Sequence, residues 1–236
     1  MRRLGASPSD EAIYRDIYTA IVEHHLRPGT KLSEDALAGV FGVSRTRIRK
    51  VLHRLAHENI ATLHRNRGAF VAKPSTKEAR EVFATRRLLE TAAVAAVAAQ
   101  ADANQIRRLR RFVVQERSAH EAHDQRAMIK LSGEFHLELI GLLGNETLVG
   151  FLRELVSRTS LVIAVYERPG PSSCHHDEHA RLVEHVAERD ADKSAEAMRQ
   201  HLQGIEDSLD LEDTVAPKVN LRQVFAQLAD RRASEA

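Results

Sequence analysis

Apolar residues recur at helical spacing along most of the chain, and capping or turn residues separate the stretches. Ser9 caps a helix with Ile13, Ile17, Ala20 and Ile21 on its inner face, and Arg27-Pro28-Gly29 predicts its end near Leu26. Ser33 caps a short helix through Leu37 and Phe41, closed by Gly42. Two residues later Ser44 caps another, with Ile48, Val51, Leu52 and Leu55 on one stripe. Two short helices joined by a glycine-containing turn make a helix-turn-helix. After Asn59 the pattern changes to β-type runs, Ile60 to Leu63 and Ala69 to Ala72, around the polar turn Arg65-Asn66-Arg67-Gly68. These runs predict a β-wing, so residues 1–75 read as a winged helix-turn-helix domain.

From Ser75 onward the period is helical only. Ser75 with Glu78 forms a capping-box pattern, and Lys73-Pro74-Ser75 marks the junction. Apolar spacing and caps predict helices over 76–101, 103–122, 124–143, 146–167, 175–189 and 192–212. The punctuation between them is Ala101-Asp102-Ala103, His123-Asp124, Gly144-Asn145 and Arg168-Pro169-Gly170-Pro171. Residues 76–236 therefore read as an antiparallel all-α bundle, and the whole chain as mainly α. The helix over 146–167 is apolar nearly all round towards its end, which suits a central position or a dimer seam.

Composition narrows the class. Hydrophobic residues are 43% and charged ones 29% of 236, the profile of a globular chain. No apolar run is long enough to span a membrane, and Met1-Arg2-Arg3-Leu4-Gly5 lacks the stretch a secretory signal needs. A single cysteine, Cys174, excludes an intrachain disulfide framework and points to a reducing cytoplasm. The net charge of +2 hides an asymmetry. Residues 1–75 carry 13 Lys/Arg against 7 Asp/Glu, while 76–236 carry 22 against 26. A basic head on an acidic body suggests that the head meets a polyanion.

Ser44, Arg45, Thr46, Arg47, Arg49 and Lys50 crowd the first turns of the third helix, where free N–H groups attract phosphate and arginines can reach guanine edges. Arg65 and Arg67 at the wing tip would meet backbone or minor groove. The run Arg107-Arg108-Leu109-Arg110-Arg111 reads instead as a solvated helix face with Leu109 turned inward. Of 13 histidines, His136 sits mid-helix in an apolar stretch, His179 near the start of a later helix and His201 on the last long one. Three imidazoles projecting from three helices would suit one divalent cation, and three separately satisfied histidines are the other reading.

Several blocks carry a family resemblance. Leu32-Ser33-Glu34-Asp35-Ala36-Leu37-Ala38, Phe41-Gly42-Val43-Ser44-Arg45-Thr46 and Arg67-Gly68-Ala69-Phe70-Val71 resemble the signature of GntR-family repressors. The resemblance implies that Lys31, Ser33, Arg45, Thr46 and Arg49 lie at or near DNA-contacting positions. Arg47 stands where the family usually has Pro, and Lys50 where it usually has Glu. Arg86-Arg87-Leu88-Leu89-Glu90, Glu134-Phe135-His136, Gly144-Asn145, Glu178-His179 and His201-Leu202 resemble landmarks of the FCD ligand-binding domain of the FadR-type branch.

In that branch an Asp and three His hold a metal, often zinc or nickel, that helps bind a small carboxylate effector. The resemblance places the three ligands at His136, His179 and His201, and the Asp position at Ser132, a far weaker ligand. Glu134 points elsewhere on that helix, and His175 is the alternative donor. Arg86 matches an arginine beside the pocket, suited to gripping a carboxylate, though Glu90 at i+4 offers it a salt bridge instead.

The expectation is a cytoplasmic, homodimeric transcriptional regulator and not an enzyme. It would act as a repressor on pseudo-palindromic double-stranded DNA and respond to a small organic acid. The alternatives are a regulator that senses its ligand without metal, and a His-metal bundle enzyme with an appended DNA-binding head. Against the enzyme, the sequence has no His-Glu-x-x-His and no Gly-rich phosphate loop.

Overall fold

A computed structural model describes residues 7–168 and 176–212. The head contains α1 (Asp10–Val22), β1 (Lys31–Leu32), α2 (Glu34–Phe41), α3 (Arg45–His57), β2 (Ala61–His64) and β3 (Gly68–Val71). Ser9, Ser33 and Ser44 cap the three helices, each accepting a backbone N–H three residues on. Gly42 takes the left-handed conformation at the end of α2 (φ 64°), which lets the chain reverse into α3 without Cβ strain.

Two expectations shift here. Helix α1 stops at Val22, not near Leu26: His24 turns left-handed (φ 60°) and the Leu26 N–H returns to the Ala20 carbonyl at 2.8 Å. The Pro-Gly signal thus marked the loop after the helix. The wing also gains a strand that sequence did not suggest, since Lys31 and Leu32 pair antiparallel with Phe70 and Ala69, giving the order β1-β3-β2. Two residues are too few for a periodic signal.

The body contains α4 (Thr76–Gln100), α5 (Ala103–Glu121), α6 (Gln125–Gly141), α7 (Glu146–Tyr166), α8 (His176–Ala187) and α9 (Ala191–Asp207). Ser75 and Glu78 form the predicted capping box, and Asp102, Asp124, Asn145 and Asp190 cap α5, α6, α7 and α9. Helix α9 ends five residues before the expected 212, because the chain extends at Leu209 to bridge Glu167. The bundle core joins Val94 and Val97 of α4, Leu109 of α5, Phe135 and Leu139 of α6, Leu152 of α7, Leu182 of α8 and Leu202 of α9, all essentially inaccessible to solvent. Full burial of such side chains stabilises by about 1.5–3 kcal/mol each.

Head and body are joined through α1 and α7. Leu161 of α7 is buried within the head's core, among Ile13, Ile17 and Leu52. The Tyr18 hydroxyl pairs with Ser157 Oγ, and the Ser160 hydroxyl donates to the Val22 carbonyl at 2.7 Å. His24 Nε2 lies 2.9 Å from both Ser160 oxygens, and burial depresses the pKa of its ring.

Candidate DNA interface and metal centre

Helix α3 buries Ile48, Val51, Leu52 and Leu55, so the opposite face, with Arg45, Thr46, Arg49, Lys50 and His53, is left to solvent. Its cations are paired with the head's own carboxylates. Arg49 makes a two-pronged contact with Glu34 (2.9 and 2.7 Å), Arg45 meets Asp35, and Lys50 lies 3.3 Å from Asp10. Glu34 is held below the usual carboxylate range, chiefly by its hydrogen bonds from Arg49.

Arg47, expected on the duplex, donates at the start of α1 to Asp10 (2.7 Å), Ser7 (2.9 Å) and the Pro8 carbonyl. Ser33 and Ser44 spend their hydroxyls on capping. In the wing Arg65 and Arg67 are exposed, with Asn66 and Gly68 left-handed (φ 61° and 91°). Lys31 is exposed on the edge strand β1. His53, one turn beyond Arg49, completes the exposed face; the sequence reading omitted it because it stopped at the basic cluster.

The second site lies within the bundle. Side chains of His136 (α6), His179 (α8) and His201 (α9) are buried and meet at one point: His201 Nε2 is 3.1 Å from His179 Nε2 and 3.3 Å from His136 Nε2. The reason lies in the opposite nitrogens. His136 Nδ1 lies 2.6 Å from Glu90, His179 Nδ1 2.8 Å from Glu116, and His201 Nδ1 2.8 Å from Glu178. A carboxylate acceptor calls for N–H at Nδ1 and leaves Nε2 a bare lone pair. Three lone pairs facing one another repel unless a cation sits between them.

Zinc with Zn–N of about 2.0–2.1 Å in a tetrahedral site would set its nitrogens about 3.3 Å apart, and the two separations from His201, 3.1 and 3.3 Å, match. The chemistry of the donor set therefore fits a divalent metal. Burial drives the His136 pKa down to about 4 against the pull of Glu90. Glu90 is itself buried, which opposes its charge, but Arg86 and His136 outweigh that and bring it to about 2.

A cavity of about 230 Å³ opens from this cluster. His136, His179, Ser132, Arg86 and Thr159 line it, and so do Tyr18 and Val22 of α1 and Glu23, which caps its end. Arg86 is buried and spends Nε on Glu90 (2.6 Å) and Nη1 on Thr159 Oγ1 (3.2 Å), so the salt bridge weighed in the sequence is the one formed. Glu134 was expected to point elsewhere, yet it also lines the cavity, and burial raises its pKa. His175 lies outside the described residues. Gly133 permits close approach of α6 to α7, since a Cβ there would lie 2.9 Å from Val156 Cγ1.

Comparison with known proteins decides the family. Residues 9–71 match the model of bacterial regulatory proteins of the gntR family, and residues 81–204 match the FCD domain. The chain is 30% identical over 182 residues to the Nta operon transcriptional regulator of Aminobacter aminovorans, covering 77% of this chain and 85% of that protein. The chain belongs to the GntR family. It is a transcriptional regulator of that family with a DNA-binding winged helix-turn-helix and an FCD domain.

The GntR regulator is also 27% identical over 203 residues to the HTH-type transcriptional repressor RspR of Escherichia coli, covering 86% of this chain and 89% of that one. Among solved structures its fold is shared with a GntR regulator from Rhodococcus sp. RHA1 (TM-score 0.75, 19% identity, 84% of this chain and 95% of that one). It is shared equally with Escherichia coli McbR/YncC (TM-score 0.75, 20% identity, 83% and 93%). Among the described residues no helix is long and apolar enough to cross a membrane.

Sequence reasoning missed two of the three carboxylates behind the histidines and assigned Glu90 only to Arg86. A signal existed for the buried pair. Glu116 continues the apolar stripe Ile106, Leu109, Val113, and Glu90 lies on the stripe Phe83, Arg86, Val94, Val97. A charged residue on an inward stripe calls for a buried partner.

Proposed function

We propose that this GntR regulator is a metabolite-responsive homodimer, working in the cytoplasm as a repressor on pseudo-palindromic double-stranded DNA. A small organic acid in the bundle cavity alters its affinity for the operator. The observation that carries this reading is the cavity wall: His136 and His179 of the bundle line the same space as Tyr18, Val22 and Glu23 of the head. A ligand filling that space touches both domains, and its preference for one head placement sets the change in DNA affinity.

Arg45, Thr46 and Arg49 reach bases and phosphates in the major groove, Lys31 and the caps of Ser33 and Ser44 lie along the backbone, and Arg65 and Arg67 follow the wing into the adjoining groove. Arg47 acts indirectly, bracing α3 on α1. His136, His179 and His201 would hold zinc or nickel, and a bound divalent ion supplies positive charge on which a carboxylate can anchor. Arg86 and Ser132 line the space where that carboxylate would lie. A metal-free variant of this reading draws support from Lys130 and Arg153, two further cationic side chains on the cavity wall.

Fluorescence anisotropy on the intergenic DNA beside its own gene, across a salt series, tests the DNA half. The expected result is sequence-specific binding with a steep salt dependence, and binding without sequence preference would overturn it. Thermal-shift screening of small organic acids, with zinc, with nickel and with chelator, tests the rest. Stabilisation only with metal supports the metal-assisted reading. Stabilisation in chelator moves the anchor to Arg86, Lys130 and Arg153.

A further inference from the structure

We propose that Glu90, Glu116 and Glu178 are positioning residues of the histidine centre, one carboxylate for each imidazole, and that metal affinity depends on them. The proposal rests on the metal reading above. Each carboxylate sits 2.6–2.8 Å from Nδ1 of its own histidine, with Glu116 offering His179 a second oxygen at 3.0 Å. Each comes from a different helix than the ring it holds: α4 holds the α6 ring, α5 the α8 ring and α8 the α9 ring. The three pairs therefore fix ring orientation across helices, which packing of a flat ring among apolar residues does not do.

A ring held this way is locked as the Nδ1–H tautomer, its Nε2 aimed at the shared point and made more basic. Charge agrees with geometry. Glu90 and Glu116 are buried beside one buried guanidinium, that of Arg86, while Glu178 also lies 4.0 Å from the exposed Arg181; three carboxylates against two guanidiniums leave formal negative charge that a divalent cation offsets. Glu178 and His179 are neighbours in sequence yet serve different rings, so the first turn of α8 supplies both a ligand and the brace for the ligand on α9.

The test uses the full chain without a histidine tag, stripped by chelator and titrated with zinc against a chromophoric zinc chelator. E178Q is the leading variant, because Glu178 is 29% exposed and its loss spares the core. E116Q is the second variant and H201A the reference for a broken site. E178Q and E116Q are each expected to weaken zinc binding by about 10–100-fold. Long-range proton–nitrogen NMR of the metal-free rings should show His201 in E178Q, and His179 in E116Q, losing the single Nδ1–H tautomer. A brace that served only folding would leave the tautomer unchanged. If the wild type takes up no zinc, the metal reading itself falls and this proposal with it. If the wild type binds zinc and E178Q matches its affinity and tautomer, the proposal fails while the metal reading stands.

Discussion

Arg49 of α3 grips Glu34 of α2 with its side chain 59% exposed, whereas Arg86 grips Glu90 in the bundle with exposures of 3% and 1%. Both are arginine–glutamate contacts of similar length, yet water makes them different objects. The exposed pair adds little to stability, because water screens it, and it exchanges partners readily, so a phosphate or a guanine edge can replace Glu34. The buried pair cannot exchange, because either charge alone in that interior would cost several kcal/mol. The head keeps its cations on hand for an outside ligand, and the body uses its charges to build a fixed cradle.

The sharpest way to break this comparison is to delete the acid on each side. Glu90→Ala should destabilise the fold by about 3–5 kcal/mol in urea melts, since it strands the Arg86 guanidinium and frees His136. Glu34→Ala should change stability by less than about 1 kcal/mol while altering operator affinity. Equal losses in the two variants would remove the distinction.

Acid should act on the body before the head. The folded pKa of His136 is about 4 against 6.5 unfolded, so between those values the unfolded chain binds the extra proton. The share of stability that rests on neutral His136 in the metal-stripped protein is therefore full above pH 6.5 and falls away as pH drops towards 4. Glu90, held at about 2 against 4.5, adds a further loss below pH 4.5. Chemical melts at pH 7.5 and pH 5 should differ in the stripped wild type, and the difference should shrink in H136F.

Gly133→Ala offers a smaller change aimed at packing alone. Its new Cβ would crowd Val156, a stiff side chain in the core, and cost about 1–3 kcal/mol in the same melts. Smallest in stability is Arg49→Ala, expected to melt like wild type but to bind its operator with reduced discrimination. The neighbouring Lys50→Ala should weaken binding on all sequences alike and lower the salt slope by about 1.

What the sequence reveals follows the same division. Serine caps, Gly42 and the stripe through Ile48 and Leu55 are local signals, and they place the helix-turn-helix nearly to the residue. The capping box of Ser75 and Glu78 is equally local. The meeting of His136, His179 and His201 is not, because residues on separate helices share no spacing rule: histidine placement leaves convergence and separate satisfaction both open, and the family resemblance favours convergence. Arg47 shows the limit from the other side: its position in the helix suggests DNA, while its partners Asp10 and Pro8 lie some 40 residues away. Strand β1 escapes the sequence for want of length, and the left-handed turn at His24 because a single histidine is only a weak signal for positive φ.

The seating of Leu161 has a practical bearing on protein engineering. A fragment cut at the junction near Ser75 would carry an apolar socket with its plug removed, inviting aggregation. Chimaeras that graft a foreign sensor onto this reader domain would need to transplant the matching turn of the long helix too. Natural recombination between such modules faces the same seam.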